Sequence, residues 1–469
     1  MEALATWIGR QRGHAARAML RSVSAIDIVK ARPGFGQTVR PLKGSIVASP
    51  VPASYDPEPD YFFHWFRDSA VVIDALRLLY EDRLAGAEAL AHLSDFIDFS
   101  LAAQQLDGRR LVAAPAWRAA VAAEFRRFVR DDDEIAQVHG QAVAAESRLN
   151  PDGSLDISKW SRPQHDGPAL RALVLLRWAR TTELEAGLLE RLDRLVRADL
   201  EFVRARWRLP CFDIWEEELG LHYYTLRLGA AALEAGASWL GASGDAAAAQ
   251  ACTAEARAID ELLGAYWLDD AGHYRSRILE GGARSAKELD IALILAAIHA
   301  PGSAAHGPQD PRMWATLARL EELFGGSYPI NRLRPAGRDG AGGTVRRGPA
   351  MGRYAGDTYY TGGAYFFATL GAAEFCFRAA LGAAPAGAPG RGGANGGAHG
   401  GARDGIDLGW IDRGDAYLDT VRAFTPPSGD MAEQFSARDG TPASARHLAW
   451  SYAAFLSCEH ARRAALAEA

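Results

Sequence analysis

The chain has 469 residues, 48% of them hydrophobic and 23% charged, proportions of a folded globular protein and too apolar for a disordered one. Lys and Arg number 52 against 58 Asp and Glu; the net charge of −6 argues against a basic nucleic-acid platform or a polybasic membrane binder. No apolar run reaches the ~18 residues of a membrane span, and the first twenty residues lack the apolar core of a secretion signal, so a cytoplasmic protein is expected.

In chain order, the N-terminal segment reads as an amphipathic helix with Leu4 and Ile8 on its apolar side. A segment rich in Pro, aromatic and acidic residues, 44–69, then runs into Arg67-Asp68-Ser69, a helix start predicted to lead into a helix from Ala70. Segment 151–168 ends in Asp166-Gly167-Pro168, with Pro at a first-turn position, and Leu170, Leu173, Val174 and Trp178 follow at helical spacing. After 207–224 come Leu226, Ala230 and Leu233, and later the stripe Ile291, Ile294, Leu295 and Ile298. The stretch 300–352 reads as irregular, with one short helix near Met313–Phe324. Segment 344–363 precedes Phe366, Leu370, Ala373 and Phe377, and segment 424–447 precedes Leu448, Tyr452 and Phe455.

Ala fills the positions between these stripes and is the best helix former, while alternating strand-type runs are few. The fold class is all-α. Five connectors built alike point to loops converging on one end of a helical array, where function usually resides. From Gly382 to Gly405, 10 of 24 residues are Gly, a composition that cannot pack a core and reads as a mobile insert. Cys211, Cys252, Cys376 and Cys458 are scattered, which suits reduced, buried thiols and neither a disulfide frame nor a zinc site.

Two acidic positions carry candidate chemistry. In Asp213-Ile214-Trp215-Glu216-Glu217-Glu218 the carboxylates adjoin Trp and Ile, so like charge and desolvation can raise one of them toward a general acid's range. A bare acidic run is usually a solvated turn, but Phe212 and Trp215 have little use in one. The second is Glu433, in Met431–Phe435 after Pro426-Pro427-Ser428-Gly429; Trp450 packs near it only if that loop folds back. Around them, Tyr61–Asp68, Trp160–Asp166 and Gly352–Asp357 mix aromatics with Arg and Asp. Aromatic faces meet the C–H faces of a sugar ring, and Arg and Asp bond its hydroxyls. Asp131–Glu134 reads as a solvated helix start. No H-E-x-x-H or G-x-S-x-G motif is present, and no metal or other cofactor is expected.

These segments, in this order, resemble the glucoamylase family of glycoside hydrolases (family 15). The match is carried by Ile46–Pro50, Asp60–Phe63 with Trp65, Arg67-Asp68-Ser69, Trp160 with Arg162-Pro163-Gln164, Asp166–Leu170, Asp213–Glu217, Gly352-Arg353-Tyr354 with Asp357–Tyr360, Glu433-Gln434, and Ser444-Ala445-Arg446 before Trp450–Ala454. It implies a single (α/α)6 barrel over 1–469, with no starch-binding module. It also implies an inverting exo-hydrolase releasing β-glucose from the non-reducing ends of α-gluco-oligosaccharides or polysaccharides. Glu216 then resembles the general acid and Glu433 the base, an inverting pair standing about 6.5–9.5 Å apart. Arg67 and Asp68 resemble the grip on the terminal glucose. Tyr61, Trp65, Trp160, Arg162, Trp215, Glu217 and Arg353 resemble the rest of the sugar shell, with Asp357, Ser444 and Trp450 supporting it.

The chain departs from the better-known members at three positions. Phe435 stands in place of a Tyr beside the base, Gly356 in place of an acid, and Tyr365 in place of a Trp. The first removes one phenol bond to Glu433 and leaves Tyr61 to supply another; the other two touch chain-length preference. An α-1,6-preferring isomaltose or dextran hydrolase, a trehalase of the same family and a non-catalytic carbohydrate-binding barrel are the alternative readings. Nothing in the sequence signals an oligomeric state.

Overall fold

The computed structural model describes residues 2–55, 57–301, 305–332, 347–382 and 408–468. Twelve long helices dominate these residues: α1 (Leu4–Leu20), α2 (Phe66–Glu81), α3 (Ala87–Ala103), α4 (Asp166–Thr181), α5 (Ala186–Arg206), α6 (Tyr223–Ala242), α7 (Ala246–Gly264), α8 (Ala292–His299), α9 (Pro311–Ser327), α10 (Phe366–Leu381), α11 (Leu408–Phe424) and α12 (Ala449–Glu468).

Every second helix belongs to an inner ring. Contacts run α2 to α4 to α6 to α8 to α10 to α12 and back to α2, while α3, α5, α7, α9, α11 and α1 each pack outside an inner partner. This is the expected (α/α)6 barrel. Burial separates the two rings. The outer α7 buries only Cys252, Ala256, Ile259 and Leu263, one stripe at three- to four-residue spacing. The inner α10 buries almost its whole surface, from Phe366 to Ala380, because it meets neighbours on all sides. Ala and Gly let these crowded helices approach: a Cβ on Gly371 of α10 would lie 2.7 Å from Leu295 of α8.

Several boundaries differ from the sequence expectation. Helix α2 starts at Phe66 and not at Ala70, so Arg67 and Asp68 lie inside its first turn, where an acid suits the helix N-terminus. Helix α9 is longer than Met313–Phe324, because Asp310 caps it by accepting from the Arg312 N–H at 2.8 Å and Pro311 suits the first position. The Gly-rich segment 382–405 lies outside the described residues, Gly382 excepted. All four Cys are free and buried. Asp132–Ala136 forms a short helix with Asp132, Asp133 and Glu134 in its first turn. No helix is long and apolar enough to cross a membrane among the described residues.

The connectors into the inner helices gather at one end of the barrel, tied in pairs by short antiparallel ladders. His64–Trp65 pairs with Arg148–Leu149, Cys211–Phe212 with Leu219–Gly220, and Ala364–Tyr365 with Gln434–Phe435, which in turn pairs with Pro442–Ala443. The inner helices all present their N-termini to this end.

Candidate active site

The turn that carries Glu216 is built by Asp213. Its backbone carbonyl accepts from the Glu216 N–H at 2.9 Å, and its Oδ1 accepts from the N–H groups of Glu217 at 2.7 Å and Glu218 at 3.0 Å. Asp213 is itself anchored by Arg277 at 3.1 Å, which holds its carboxyl below the usual range against the opposing cost of burial. Glu216 adopts φ +65°, a left-handed conformation that costs a non-Gly residue on the order of 1–3 kcal/mol and tends to mark functional positions. Glu433 sits just before the central strand of the three-stranded ladder, held by its N–H to the Ala445 carbonyl at 2.8 Å.

Both side chains face one cavity of about 590 Å³. Its lining comes from the connectors (Ala48, Tyr61, Trp65, Lys159, Trp160, Ser161, Phe212, Ile214, Trp215, Glu216, Glu217, Arg353, Tyr359, Glu433, Leu448) and from the first turns of inner helices (Arg67, Asp68, Phe367, Trp450). Glu216 accepts from two indoles, Trp65 Nε1 at 2.7 Å on Oε1 and Trp160 Nε1 at 2.5 Å on Oε2. Ser161 Oγ donates to the Glu216 carbonyl at 2.5 Å, and Arg67 stands 3.9 Å from Oε1. Burial raises the Glu216 carboxyl above its ordinary value, with Arg67, Arg148 and the two indoles opposing. Glu433 accepts from Ser444 Oγ on Oε2 and from Tyr61 Oη at 3.2 Å on Oε1. Burial pushes Glu433 up to about 7 against these two donors.

Arg67 and Asp68 are almost fully buried, 3.5 Å apart, and Arg67 also donates to Asp166 at 3.0 Å. Gly167 permits this, since a Cβ there would stand 2.5 Å from the Cβ of Phe66 and push α4 away from α2. Burial lifts Asp68 to about 6, although Arg67 works in the other direction. Glu217 accepts from Arg353 at 3.0 Å, Lys287 at 2.7 Å and Tyr354 Oη at 2.5 Å. Arg353 is shared between Glu217 and Asp357, whose Oδ2 it meets at 2.7 Å. Trp215 donates to Asp290 at 2.9 Å and stacks on Phe367, which stacks in turn on Trp450 at 4.5 Å.

The structure therefore brings Glu216, Glu433, Tyr61, Trp65, Arg67, Asp68, Trp160, Trp215, Glu217, Arg353 and Trp450 to one cavity. Asp357 and Ser444 stand behind it, bonded to Arg353 and Glu433. Arg162 is placed differently. Its guanidinium meets Glu146 at 2.6 Å and Asp156 at 2.9 Å, bracing the 146–160 connector outside the lining. The loop before α12 does fold back, for Ser451 Oγ donates to the Ala432 carbonyl at 2.8 Å. Phe435 is buried between Phe366 and Phe424, its ring stacked on the latter at 5.1 Å. Lys159, Phe367 and Lys287 were not singled out from the sequence, and Leu448 was read only as part of a helical stripe; Lys159, next to Trp160, and Leu448, between Arg446 and Trp450, lay beside motifs that mark the site.

The pattern described as Glycosyl hydrolases family 15 matches residues 32–106, 129–390 and 411–460. Glucoamylase 1 of Rhizopus oryzae is 27% identical over 98% of this chain and 72% of its own length. The probable glucoamylase of Schizosaccharomyces pombe is 27% identical over 98% of this chain and 92% of its own. Among solved structures, the Hypocrea jecorina family 15 glucoamylase superposes with a TM-score of 0.74 at 25% identity, covering 98% of this chain and 73% of its own. The Saccharomycopsis fibuligera glucoamylase gives 0.74 at 20% identity over 100% and 97% of the two chains, a likeness of fold. With the family pattern spanning most of the barrel, and its matched segments supplying every wall of the cavity, the chain belongs to family 15 of the glycosyl hydrolases and is a glycoside hydrolase.

Proposed function

We propose that the protein is an inverting, exo-acting α-glucosidase of the glucoamylase type, taking one glucose at a time from the non-reducing end of an α-gluco-oligosaccharide. The observation that carries this reading is the pair of buried carboxyls on one cavity with unlike partners. Glu216 receives two indole N–H groups, and Glu433 receives two hydroxyls.

In this reading Glu216 protonates the glycosidic oxygen and Glu433 takes a proton from the water that attacks the anomeric carbon from the opposite face. The C–O bond to the leaving sugar breaks with its electrons on oxygen, which keeps the proton from Glu216. The new C–O bond comes from water, and the anomeric centre inverts. Arg67 and Asp68, buried in the first turn of α2, supply a charged donor and acceptor for the hydroxyls of the terminal glucose. A buried charged pair suits a chain end, where hydroxyls replace water, better than a chain passing through.

The test is product stereochemistry. Proton NMR of early hydrolysis should show β-glucose first, and E433Q should lose about 10²–10⁴-fold in kcat. Initial α-glucose, or undiminished turnover by E433Q, overturns the mechanism. Comparing maltose, isomaltose and trehalose as substrates assigns the linkage.

A further inference from the structure

A hydrogen-bonded chain that the reaction above does not use runs from beside one carboxyl to beside the other. It begins at Glu217, one residue after Glu216, whose Oε1 accepts from Arg353 Nη2 at 3.0 Å. Arg353 Nε donates to Asp357 Oδ2 at 2.7 Å, and the same oxygen accepts from Tyr365 Oη at 3.2 Å. Tyr365 Oη itself accepts from Gln434 Nε2 at 2.7 Å, and Gln434 directly follows Glu433.

Tyr365 and Gln434 are buried cross-strand partners, and neither lines the cavity. The Tyr365 ring packs against two rings that do, Phe367 at 5.3 Å and Trp215 at 6.3 Å. Gln434 Nε2 also donates to the Tyr359 carbonyl at 3.0 Å, and the Tyr359 phenol meets the Tyr61 hydroxyl that donates to Glu433. Gln434 therefore supports the base along two routes, through the strand and through the two tyrosines. The chain needs a group at position 365 that donates and accepts at one atom. A phenol hydroxyl does both, whereas an indole N–H, as in the Trp of the better-known members, only donates.

We propose that the Tyr365 hydroxyl is a positioning group, tying the Arg353–Glu217 pair to the strand that carries the base. The proposal rests on the glucosidase reading, in which Glu217, beside the acid, stands on the side of the leaving sugar. The grip on that sugar and the aim of Glu433 at its water then share one frame. Removing the hydroxyl cuts the frame in the middle and loosens both ends, although Tyr365 touches neither sugar nor water.

The experiment compares the full chain with Tyr365→Phe, which keeps the ring and loses the hydroxyl, on maltose and on α-glucosyl fluoride. Fluoride leaves without a proton from Glu216 and brings no second sugar. In Tyr365→Phe kcat should fall by about three- to tenfold on both substrates, the scale of one hydrogen bond, because both need the base. KM should rise, by about two- to threefold, on maltose alone. Gln434→Met cuts the same link from the other end and should lower kcat on both substrates at least as much. Adding Tyr365→Phe to it should then lower kcat little further, because the two changes remove one shared bond. Unchanged kinetics in Tyr365→Phe, a kcat loss that fluoride restores, a KM that rises on both substrates, or kcat losses that multiply in the double variant each overturn the proposal. If Tyr365→Phe does not fold, Gln434→Met carries the test, and a kcat loss confined to maltose overturns it. All these results leave the glucosidase reading standing, whereas absence of turnover on every α-glucoside by the unaltered protein overturns that reading instead.

Discussion

The two carboxyls of the cavity are buried alike and partnered differently. An indole N–H only donates, so with Trp65 on one oxygen and Trp160 on the other, Glu216 has a lone pair engaged at each oxygen. A proton on Glu216 must use a lone pair those indoles leave free. Glu433 is held by hydroxyls that both donate and accept, and Tyr61 is itself paired with Tyr359 Oη at 2.8 Å. Such a chain can reorient when Glu433 gains a proton. In the proposed mechanism the first would hand over a proton in a defined direction and the second would receive one. Burial raises both carboxyls, and the donors on each oppose it by favouring the ionised form.

The largest expected effect separates the roles. Glu216→Gln and Glu433→Gln should each cost about 10²–10⁴-fold in kcat on maltose. On α-glucosyl fluoride, whose leaving group needs no protonation, the former should recover much of its rate and the latter should not; the reverse pattern would exchange the assignments. Next comes stability. Glu433 titrates near 7 in the fold against an ordinary value of 4.5, so the fold binds an extra proton between these two limits. Stability should therefore be greatest below about pH 4.5, as far as this group is concerned, and decline as pH rises toward 7. By pH 8 the buried charge costs on the order of 3 kcal/mol. Denaturant midpoints at pH 5 and pH 8 should draw apart for the unaltered protein and much less for E433Q.

A third pair of tests moves the two limbs of the pH profile separately. Removing a donor raises the carboxyl it served. Ser444→Ala should move the acid limb of kcat/KM to higher pH by about one unit, and Tyr61→Phe should do so by less. Trp160→Phe should move the alkaline limb upward instead, through Glu216. If either substitution moves the wrong limb, the two environments are not independent. The smallest effect concerns Glu217, beside Glu216. Lys287→Met removes one of its three donors and should raise KM by about two- to fivefold, the scale of a partly exposed ion pair.

Much of this was legible in the sequence because the inner helices need apolar surface on nearly every side and the connectors do not. The stripe from Ile291 to Ile298 marks α8, and the aromatics around Arg67, Trp160 and Glu216 mark walls of the cavity. The acidic run Glu216-Glu217-Glu218 reads as a solvated turn by composition alone. In the fold each member has its own partners: two indoles for Glu216, Arg353 with Lys287 and Tyr354 for Glu217, and Arg277 with Ser285 for Glu218. Those partners come from 56 to 151 residues away, and no local spacing encodes them. Arg162 shows the converse. Its neighbours in sequence mark the sugar shell, but its guanidinium finds Glu146 and Asp156 first, at ranges of 16 and 6 residues. Leu448 reads as a member of a helical stripe and is buried, but it stands just before α12; that it also faces the cavity depends on where that helix begins.

The inner ring is joined by α12 lying against α2, while α1 covers α12 from outside. On the ribosome, the first two of these helices emerge hundreds of residues before the third. Until α12 arrives, the apolar flank of α2 that it covers has no neighbour, and the wall that Trp450 supplies does not exist. Domains generally fold as units during synthesis, and this one has no complete unit until its last long helix is released. Nascent chains shorter than about residue 450 are therefore expected to be protease-sensitive, to engage chaperones through that open flank, and to bind no sugar. The walls of the cavity are thus complete only once α12 has been made.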